Sequence, residues 1–138
     1  MELQELNTIK QETTDHFELL LEGEIREALK GILGDSFGVT VEQVTLWDDK
    51  GVIFGQPDQI ELDVIIKNGT LILCEIKAMA SRGDVYIFGK KCTFYATVHQ
   101  REINRRLIIS PMVDKRGHDM AAKLGIEVYS YAEDVTNL

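Results

Sequence analysis

The chain has 138 residues, of which 44% are hydrophobic and 28% are charged, a composition typical of one globular domain with its own core. No apolar run approaches the ~18 residues of a membrane span, and the first residues lack the basic and apolar regions of a secretory signal, so we expect a cytoplasmic protein without membrane contact. The net charge of −8 argues against a general affinity for nucleic acid.

The N-terminal region reads as helix over residues 1–33, in one or two pieces, because apolar residues from Phe17 to Leu33 recur at helical spacing. A weaker heptad could extend this helix or pair it with a second chain, and consists of Leu3, Leu6, Thr13, Phe17 and Leu20. We therefore predict an N-terminal helical extension over residues 1–16 and one domain over residues 17–138.

The rest of the chain alternates between strand and helix patterns. The predicted order is a strand over residues 39–47, a hairpin over 60–78, a helix over 84–103, a strand over 106–110, a helix over 114–124 and a strand over 126–131. Antiparallel strands followed by helix-linked crossovers predict an α/β fold, with a mixed central sheet and helices on its faces.

The predicted hairpin carries four charges among apolar residues that look buried: Glu61, Asp63, Glu75 and Lys77. An unpaired charge in a core is strongly unfavourable, so these residues need partners, solvent or a metal ion. Mg²⁺ relieves the repulsion between close carboxylates, and binds one or two of them together with waters and phosphate oxygens. An exposed sheet edge bearing charged side chains would explain the same residues without a metal.

The turn of the hairpin decides whether these charges meet. If residues 68 and 69 form a two-residue turn, Asp63 opposes Cys74 and lies on the face away from Glu75. If residues 67–69 form a three-residue loop with Gly69 in the left-handed conformation, all four charges share one face. We choose the second register because it separates charged from apolar residues. The metal site predicted from spacing depends on that choice.

The segments EIREAL, IELDVII and LILCEIKA resemble the PD-(D/E)xK nuclease superfamily. The resemblance implies a restriction-endonuclease-like fold with an αβββαβ core, and a metal-dependent nuclease that hydrolyses phosphodiester bonds, with DNA the expected substrate. It implies that Asp63, Glu75 and the carbonyl of Ile76 bind Mg²⁺ or Mn²⁺. It also implies that Lys77 activates or orients the attacking water.

Further residues follow from the same resemblance. The first helix of such nucleases often supplies a glutamate to the site, and Glu24 fits best, with Glu27 as the alternative. Asp58, in the literal Pro-Asp pair, is an alternative to the aspartate of the hairpin, although it follows a loop. Lys91 and Tyr95 have the spacing of the Gln-x-x-x-Tyr motif of RecB-like members, with lysine in place of glutamine.

The charge is unevenly distributed, since residues 76–123 carry 10 basic and 4 acidic side chains while residues 1–75 carry 5 and 16. This basic segment supplies the predicted nucleic-acid contacts, which are Arg82, Lys90, Lys91, Tyr95, Arg101, Arg105 and Arg106. Contacts to phosphate position a substrate without reading its sequence, so we expect structure-dependent or weakly specific cleavage. The resemblance also implies a homodimer. Two other functions stay open: a catalytically inactive nuclease-fold module that binds nucleic acid or a protein, and a coiled-coil interaction protein.

Overall fold

The structure is a computed structural model that describes residues 2–34 and 39–135. Its helices are α1 (Leu3–Gly34), α2 (Arg82–His99) and α3 (Lys115–Leu124). Its strands are β1 (Val39–Asp48), β2 (Asp58–Lys67), β3 (Thr70–Ile76), β4 (Met79–Ala80), β5 (Arg105–Ile109), β6 (Met112–Val113) and β7 (Glu127–Tyr129). A 3₁₀ turn, Ala132–Asp134, follows the last strand.

Five strands form one mixed sheet in the order β1-β2-β3-β5-β7. The first three strands are antiparallel, whereas β3, β5 and β7 run parallel. The short strands β4 and β6 pair separately. The element order therefore contains the predicted αβββαβ core, and the predicted mixed sheet with flanking helices and an N-terminal helix is confirmed.

Two apolar cores lie on opposite faces of the sheet. On one face, Leu29 and Leu33 of α1 pack against a cluster that includes Cys74. On the other face, Phe88 of α2 packs against a cluster that includes Leu73. Because helices cover both faces, β3 is apolar on both of its sides, as is usual for a central strand that takes part in parallel pairing.

The bounds of α2 differ from the predicted helix over residues 84–103 because both ends are capped. Ser81 Oγ accepts a hydrogen bond from Asp84 N at 3.2 Å, and Asp84 Oδ2 accepts one from Ser81 N at 2.9 Å. This reciprocal pair is a capping box that starts the helix at Arg82. Gln100 adopts the left-handed conformation with φ of 48° and ends the helix at His99.

The predicted register of the hairpin is wrong. Lys67 pairs with Thr70, so Asn68 and Gly69 form a two-residue turn, with φ of 49° and 84°. Positive φ at both positions defines a type I′ turn, whose twist matches that of the strands and for which Asn-Gly is a preferred sequence. In this register Asp63 pairs with Cys74, and neighbouring Glu75 points to the opposite face of the sheet.

The first half of α1 has little contact with the sheet. Residues 2–17 are all exposed, including Leu3 at 74% and Phe17 at 70% of their surface. The division between residues 16 and 17 lies within this single helix and stays a prediction. Within residues 2–34 and 39–135, no helix combines the length and apolarity needed to cross a membrane.

Candidate active site

A cavity of about 240 Å³ opens where the pairing between β2 and β3 ends. The last paired residues are Asp63 and Cys74, and the N-terminal half of β2 has no partner on β3. The charged side chains that line this space are Glu22, Arg26, Glu61, Asp63, Glu75 and Lys77. We call it the charged cavity. It gathers carboxylates from both strands of the hairpin, although those carboxylates approach from different faces.

Asp63 is almost fully buried and is held by an arginine of α1. Arg26 Nε donates to Asp63 Oδ1 at 2.7 Å, and Arg26 Nη2 donates to Oδ2 at 3.1 Å. The hydrogen bond to Asp63 raises the pKa of the Arg26 guanidinium, with burial acting in the opposite direction. Both carboxylate oxygens therefore already face a positive charge, which offsets the desolvation of Asp63.

Glu75 is paired with a lysine of α2, on the face of the sheet opposite to the one on which Asp63 pairs with Arg26. Lys91 Nζ lies 3.3 Å from Glu75 Oε2, and the two side chains are only 12% and 18% exposed. Burial raises the pKa of Glu75, and the Lys91 ammonium opposes that rise. Lys91 Nζ also lies 3.4 Å from the Glu61 carbonyl oxygen, which ties α2 to β2.

The prediction that the acids share one face of the sheet is therefore wrong, and the metal-site argument built on it fails. Asp63 contacts α1 and Glu75 contacts α2. What brings both carboxylates to one space is the end of the β2–β3 ladder, which leaves a gap between the strands. The candidate site rests on that shared cavity and on the order of its residues along the chain.

Lys77 and Ile76 also line the charged cavity, as the predicted site requires. Lys77 Nζ lies 3.8 Å from Asp84 Oδ1, and both side chains keep over a third of their surface exposed. Its backbone N–H donates to the Ile109 carbonyl at 3.1 Å, which fixes the chain just beyond β3. Lys77 is thus anchored by its backbone and keeps a side chain that can reach solvent or substrate.

The helix glutamate at this cavity is Glu22. Its Oε2 accepts a hydrogen bond from Ala78 N at 2.9 Å, which links α1 to the residue after Lys77. Glu24 is exposed and does not line the cavity, so the structure does not bring that predicted residue to the site. The alternative, Glu27, is also exposed and pairs with Lys30 at 3.4 Å.

Of the two candidate aspartates, only Asp63 reaches the charged cavity. Asp58 is exposed at the start of β2, and its Oδ1 accepts a hydrogen bond from Gln59 N at 2.7 Å. The literal Pro-Asp pair therefore lies outside the site. Glu61, whose role the sequence left undefined, does line the cavity.

The predicted nucleic-acid contacts do not form one surface. Tyr95 is only 7% exposed and lies in the core with its ring centroid 4.3 Å from that of His99, so the structure does not place it on a surface with the other predicted contacts. Arg105 Nη2 lies 2.6 Å from Glu127 Oε1, in an ion pair between β5 and β7. Lys91 binds Glu75 in place of facing solvent.

The other basic residues are spread over three places. Arg82 is exposed at the start of α2. Arg101 Nη2 donates to the Gly69 carbonyl at 2.9 Å, so it braces the hairpin turn. Lys90 Nζ donates to the Ile53 carbonyl at 3.1 Å. Lys90 and Arg106 line a second, larger groove on the outer side of α2.

The donor chemistry of the charged cavity fits a hard divalent cation. Within residues 2–34 and 39–135, no group of three or more His, Cys, Asp or Glu side chains is arranged to hold a metal. Mg²⁺ needs only one or two carboxylates besides waters and substrate oxygens, which Asp63 and Glu75 can supply. A cation would have to share these carboxylates with Arg26 and Lys91, or displace them.

The fold and this cavity together define a nuclease-fold domain. A mixed sheet lies between helices, and Asp63 and the triplet from Glu75 to Lys77 line one cavity at the end of the β2–β3 pairing. The chain belongs to the PD-(D/E)XK nuclease superfamily, whose family model matches residues 58–127. This membership supports a nuclease function in general, and members of the superfamily typically use divalent metals.

Three further comparisons concern this chain. A family model described as a protein of unknown function (DUF3782) matches residues 4–57. The structure of EndoMS in apo form is similar in fold, with a TM-score of 0.52 and 14% identity over 76% of this chain. The match spans 44% of that longer protein. The comparison with curated proteins gives no match.

Proposed function

We propose that the protein is a metal-dependent nuclease that hydrolyses phosphodiester bonds, in DNA rather than RNA, with weak sequence specificity. The observation that supports this proposal is that Asp63, Glu75 and Lys77 line the same cavity. Asp63, Glu75 and the carbonyl of Ile76 would hold Mg²⁺ or Mn²⁺. When bound, that ion lowers the pKa of a water and stabilises charge at the phosphate.

The protein's own residues orient the reacting groups. Lys77 forms only a long ion pair with Asp84, at 3.8 Å, within residues 2–34 and 39–135, so its ammonium can orient the attacking water or neutralise a phosphate oxygen. Glu22 is a positioning residue, because its hydrogen bond to Ala78 N fixes the backbone that carries Lys77. Three of the predicted phosphate contacts lie outside the core and remain candidates for binding phosphate: Arg82, and the groove residues Lys90 and Arg106.

Cleavage assays test this proposal directly. Branched, single-stranded and duplex DNA, and an RNA of the same sequence, are incubated with Mg²⁺, Mn²⁺ or EDTA. We expect cleavage only with a metal, loss of cleavage in Glu75→Gln, and full cleavage in the matched control Glu102→Gln, whose side chain is exposed outside the cavity. A wild-type protein that cuts none of these substrates with either metal contradicts the proposal.

One observation favours a second candidate function, a catalytically inactive module that binds nucleic acid or a protein. Arg26 and Lys91 already neutralise the two carboxylates that a metal would use. Calorimetry with Mn²⁺, with and without DNA, separates the two functions. Binding of Mn²⁺ to wild type but not to a protein with both Asp63→Asn and Glu75→Gln supports the enzyme, and nucleic-acid binding without any metal binding supports the inactive module.

We further propose that the protein is a cytoplasmic homodimer joined through the exposed half of α1. Leu3, Leu6 and Phe17 are exposed at heptad spacing. The buried free thiols Cys74 and Cys92 suit a reducing compartment. Light scattering at micromolar concentration tests the dimer.

In that measurement, Phe17→Glu should give a monomer, because it adds a charge to the apolar heptad positions. Thr8→Glu, outside those positions on the same exposed segment, should leave the dimer intact and serves as the control. A monomeric mass for the wild type contradicts the proposed dimer and leaves the nuclease proposal untouched.

A further inference from the structure

A groove of about 750 Å³ runs along the side of α2 that faces solvent, whereas the charged cavity measures about 240 Å³. Besides α2, its lining comes from the end of β1, from the turn that follows β1 and from one residue of β5. We call it the aromatic groove and define it by Trp47, Lys50, Tyr86, Lys90, Phe94 and Arg106. Neither family membership nor the proposed catalytic residues account for it.

Two large aromatic side chains of the groove are exposed to solvent. Trp47, the sole tryptophan of the chain, is 60% exposed, and Tyr86 is 49% exposed. Phe94 is half-buried in the same groove. Contiguous exposed apolar surface of this kind marks a binding site, and flat rings suit ligands that present a flat apolar face.

The groove is lined mainly by positive charge, which favours a negatively charged ligand. Three basic side chains line it, from Lys50, Lys90 and Arg106, against one acidic side chain, from Asp49. The chain as a whole carries a net charge of −8, so this positive surface is local. Basic groups interleaved with aromatic rings are the combination that binds phosphates and stacks on bases. A second copy of this acidic chain could pair with the basic side chains, but it would not offer the flat bases that a nucleic acid stacks on aromatic rings.

The wall formed by the turn after β1 is held in place before any ligand binds. Asp48 is fully buried, and its Oδ2 accepts a hydrogen bond from Ile53 N at 2.9 Å. Lys90 Nζ donates to the Ile53 carbonyl and lies 5.7 Å from the centre of the Tyr86 ring. An ammonium group has three donors, so Lys90 can brace this turn and still bind a phosphate.

We infer that the aromatic groove binds unpaired nucleotides, with bases stacked on Trp47 and Tyr86 and phosphates held by Lys50, Lys90 and Arg106. Duplex DNA hides its base faces, so only a single-stranded segment can use the rings. Lys90 faces the groove and the next residue, Lys91, contacts Glu75, so one helix serves both sites. The inference rests on the proposed function, because it names the form of nucleic acid that the nuclease would bind.

Fluorescence anisotropy tests this inference in EDTA, which removes metal binding and cleavage. The probes are a labelled oligothymidylate of about 15 nucleotides, within the range that such grooves cover, a duplex of equal length, and an abasic strand of equal charge. We expect the oligothymidylate to bind wild type most tightly and to quench Trp47 emission. Trp47→Ala and Tyr86→Ala should each weaken its binding about 5- to 150-fold, the loss of one stacked base.

Tyr131→Ala is the matched control, because this aromatic residue is 59% exposed and lies outside the groove. It should bind as wild type does, and circular dichroism should show all three variants folded. Equal binding of the abasic strand, or unchanged binding by Trp47→Ala and Tyr86→Ala, overturns the inference. It is also overturned if these variants bind normally but change the oligomeric state, since a second copy would then occupy the groove.

Failure of this inference and failure of the proposed function give different results. Wild-type protein that cuts duplex DNA with Mg²⁺ but binds no single strand refutes the groove and retains the nuclease. Protein that binds the oligothymidylate through Trp47 and cuts nothing with either metal supports the groove and refutes the nuclease. Glu75→Gln should keep its single-strand affinity, because Glu75 does not line the groove.

Discussion

Replacing Arg26 by methionine should destabilise the protein without metal and make it more sensitive to Mg²⁺. The substitution keeps an unbranched side chain but removes two hydrogen bonds, of 2.7 and 3.1 Å, from a carboxylate that is 5% exposed. Breaking one partner of a buried pair costs about 3–5 kcal/mol. We expect about 3 kcal/mol in the free energy of unfolding, because the Arg26 side chain is itself 20% exposed.

Mg²⁺ should return part of that loss, because the variant should gain more stability from the ion than the wild type does. A ligand present at about 100 times its Kd adds about 2.7 kcal/mol to the free energy of unfolding. In the wild type the guanidinium competes for Asp63, and if that competition weakens Mg²⁺ binding about tenfold, the gain at the same concentration falls to about 1.4 kcal/mol. The variant should therefore gain about twice as much stability from Mg²⁺ as the wild type.

Urea unfolding in EDTA and in MgCl₂ measures both effects. Arg105→Met is the matched control, since Arg105 forms a comparable ion pair with Glu127 at 2.6 Å, outside the charged cavity. It should lose at most about 1 kcal/mol, because the Glu127 side chain is 38% exposed, and it should show no added response to Mg²⁺. An equal Mg²⁺ response in all three proteins refutes the reasoning. If Mg²⁺ stabilises the wild type but not Arg26→Met, then Arg26 positions Asp63 for the metal instead of competing with it.

Three further outcomes are expected. Lys77→Met should abolish cleavage but leave Mn²⁺ affinity within about threefold by calorimetry, since an ammonium is not a metal ligand. Gly51→Ala should lower the free energy of unfolding in urea more than Gly69→Ala does, because a Cβ at Gly51 would lie 2.7 Å from backbone, whereas none lies within 4 Å of one at Gly69. The hydrogen bond from Arg105 lowers the pKa of Glu127, so its ionised form stabilises the fold. Glu127→Gln should therefore be less stable than wild type at neutral pH, and chemical unfolding should show this difference vanishing as the pH falls below about 4.

The helices, strands and family could be predicted from the sequence because each depends on local patterns. Period-2 and period-3.6 apolar spacing located the elements, and Asp63 with the triplet from Glu75 to Lys77 pointed to the superfamily. The register of the hairpin could not be obtained in the same way. Separating charged from apolar residues is a valid criterion only when one face of a hairpin is solvated. Here α1 and α2 cover the two faces, so both faces are apolar and the criterion does not discriminate.

The turn itself carried the better signal. Asn-Gly favours the two-residue type I′ turn, and Asn68 and Gly69 adopt it. That local preference is a stronger indicator of register than the separation of charged from apolar residues. The charges on opposite faces are tolerated because Asp63 and Glu75 each meet a basic residue from a different helix.

The helix residue at the site was missed because its position depends on the rotation of α1 about its own axis. Residues two apart on a helix point about 200° from one another, so Glu24 cannot share the direction of Glu22. The buried residues Leu29 and Leu33 define the inward stripe. Continuing that stripe backward in steps of three and four reaches Arg26 and Glu22, so the sequence did contain the signal.

The lysine at position 91, which departs from the Gln-x-x-x-Tyr motif, acquires a physical meaning from its contact with Glu75. Glutamine could donate a hydrogen bond to that carboxylate but could not neutralise it. With Lys91 on one face and Arg26 on the other, each of the two cavity carboxylates, Asp63 and Glu75, has a basic partner that offsets its desolvation without a metal. The same two contacts would oppose a divalent ion, so in the proposed nuclease the charge balance at Asp63 and Glu75 would also set the metal affinity. Phosphates of a bound nucleic acid would attract both basic side chains and add oxygen ligands, so the proposed nuclease should bind metal more tightly when its substrate is present.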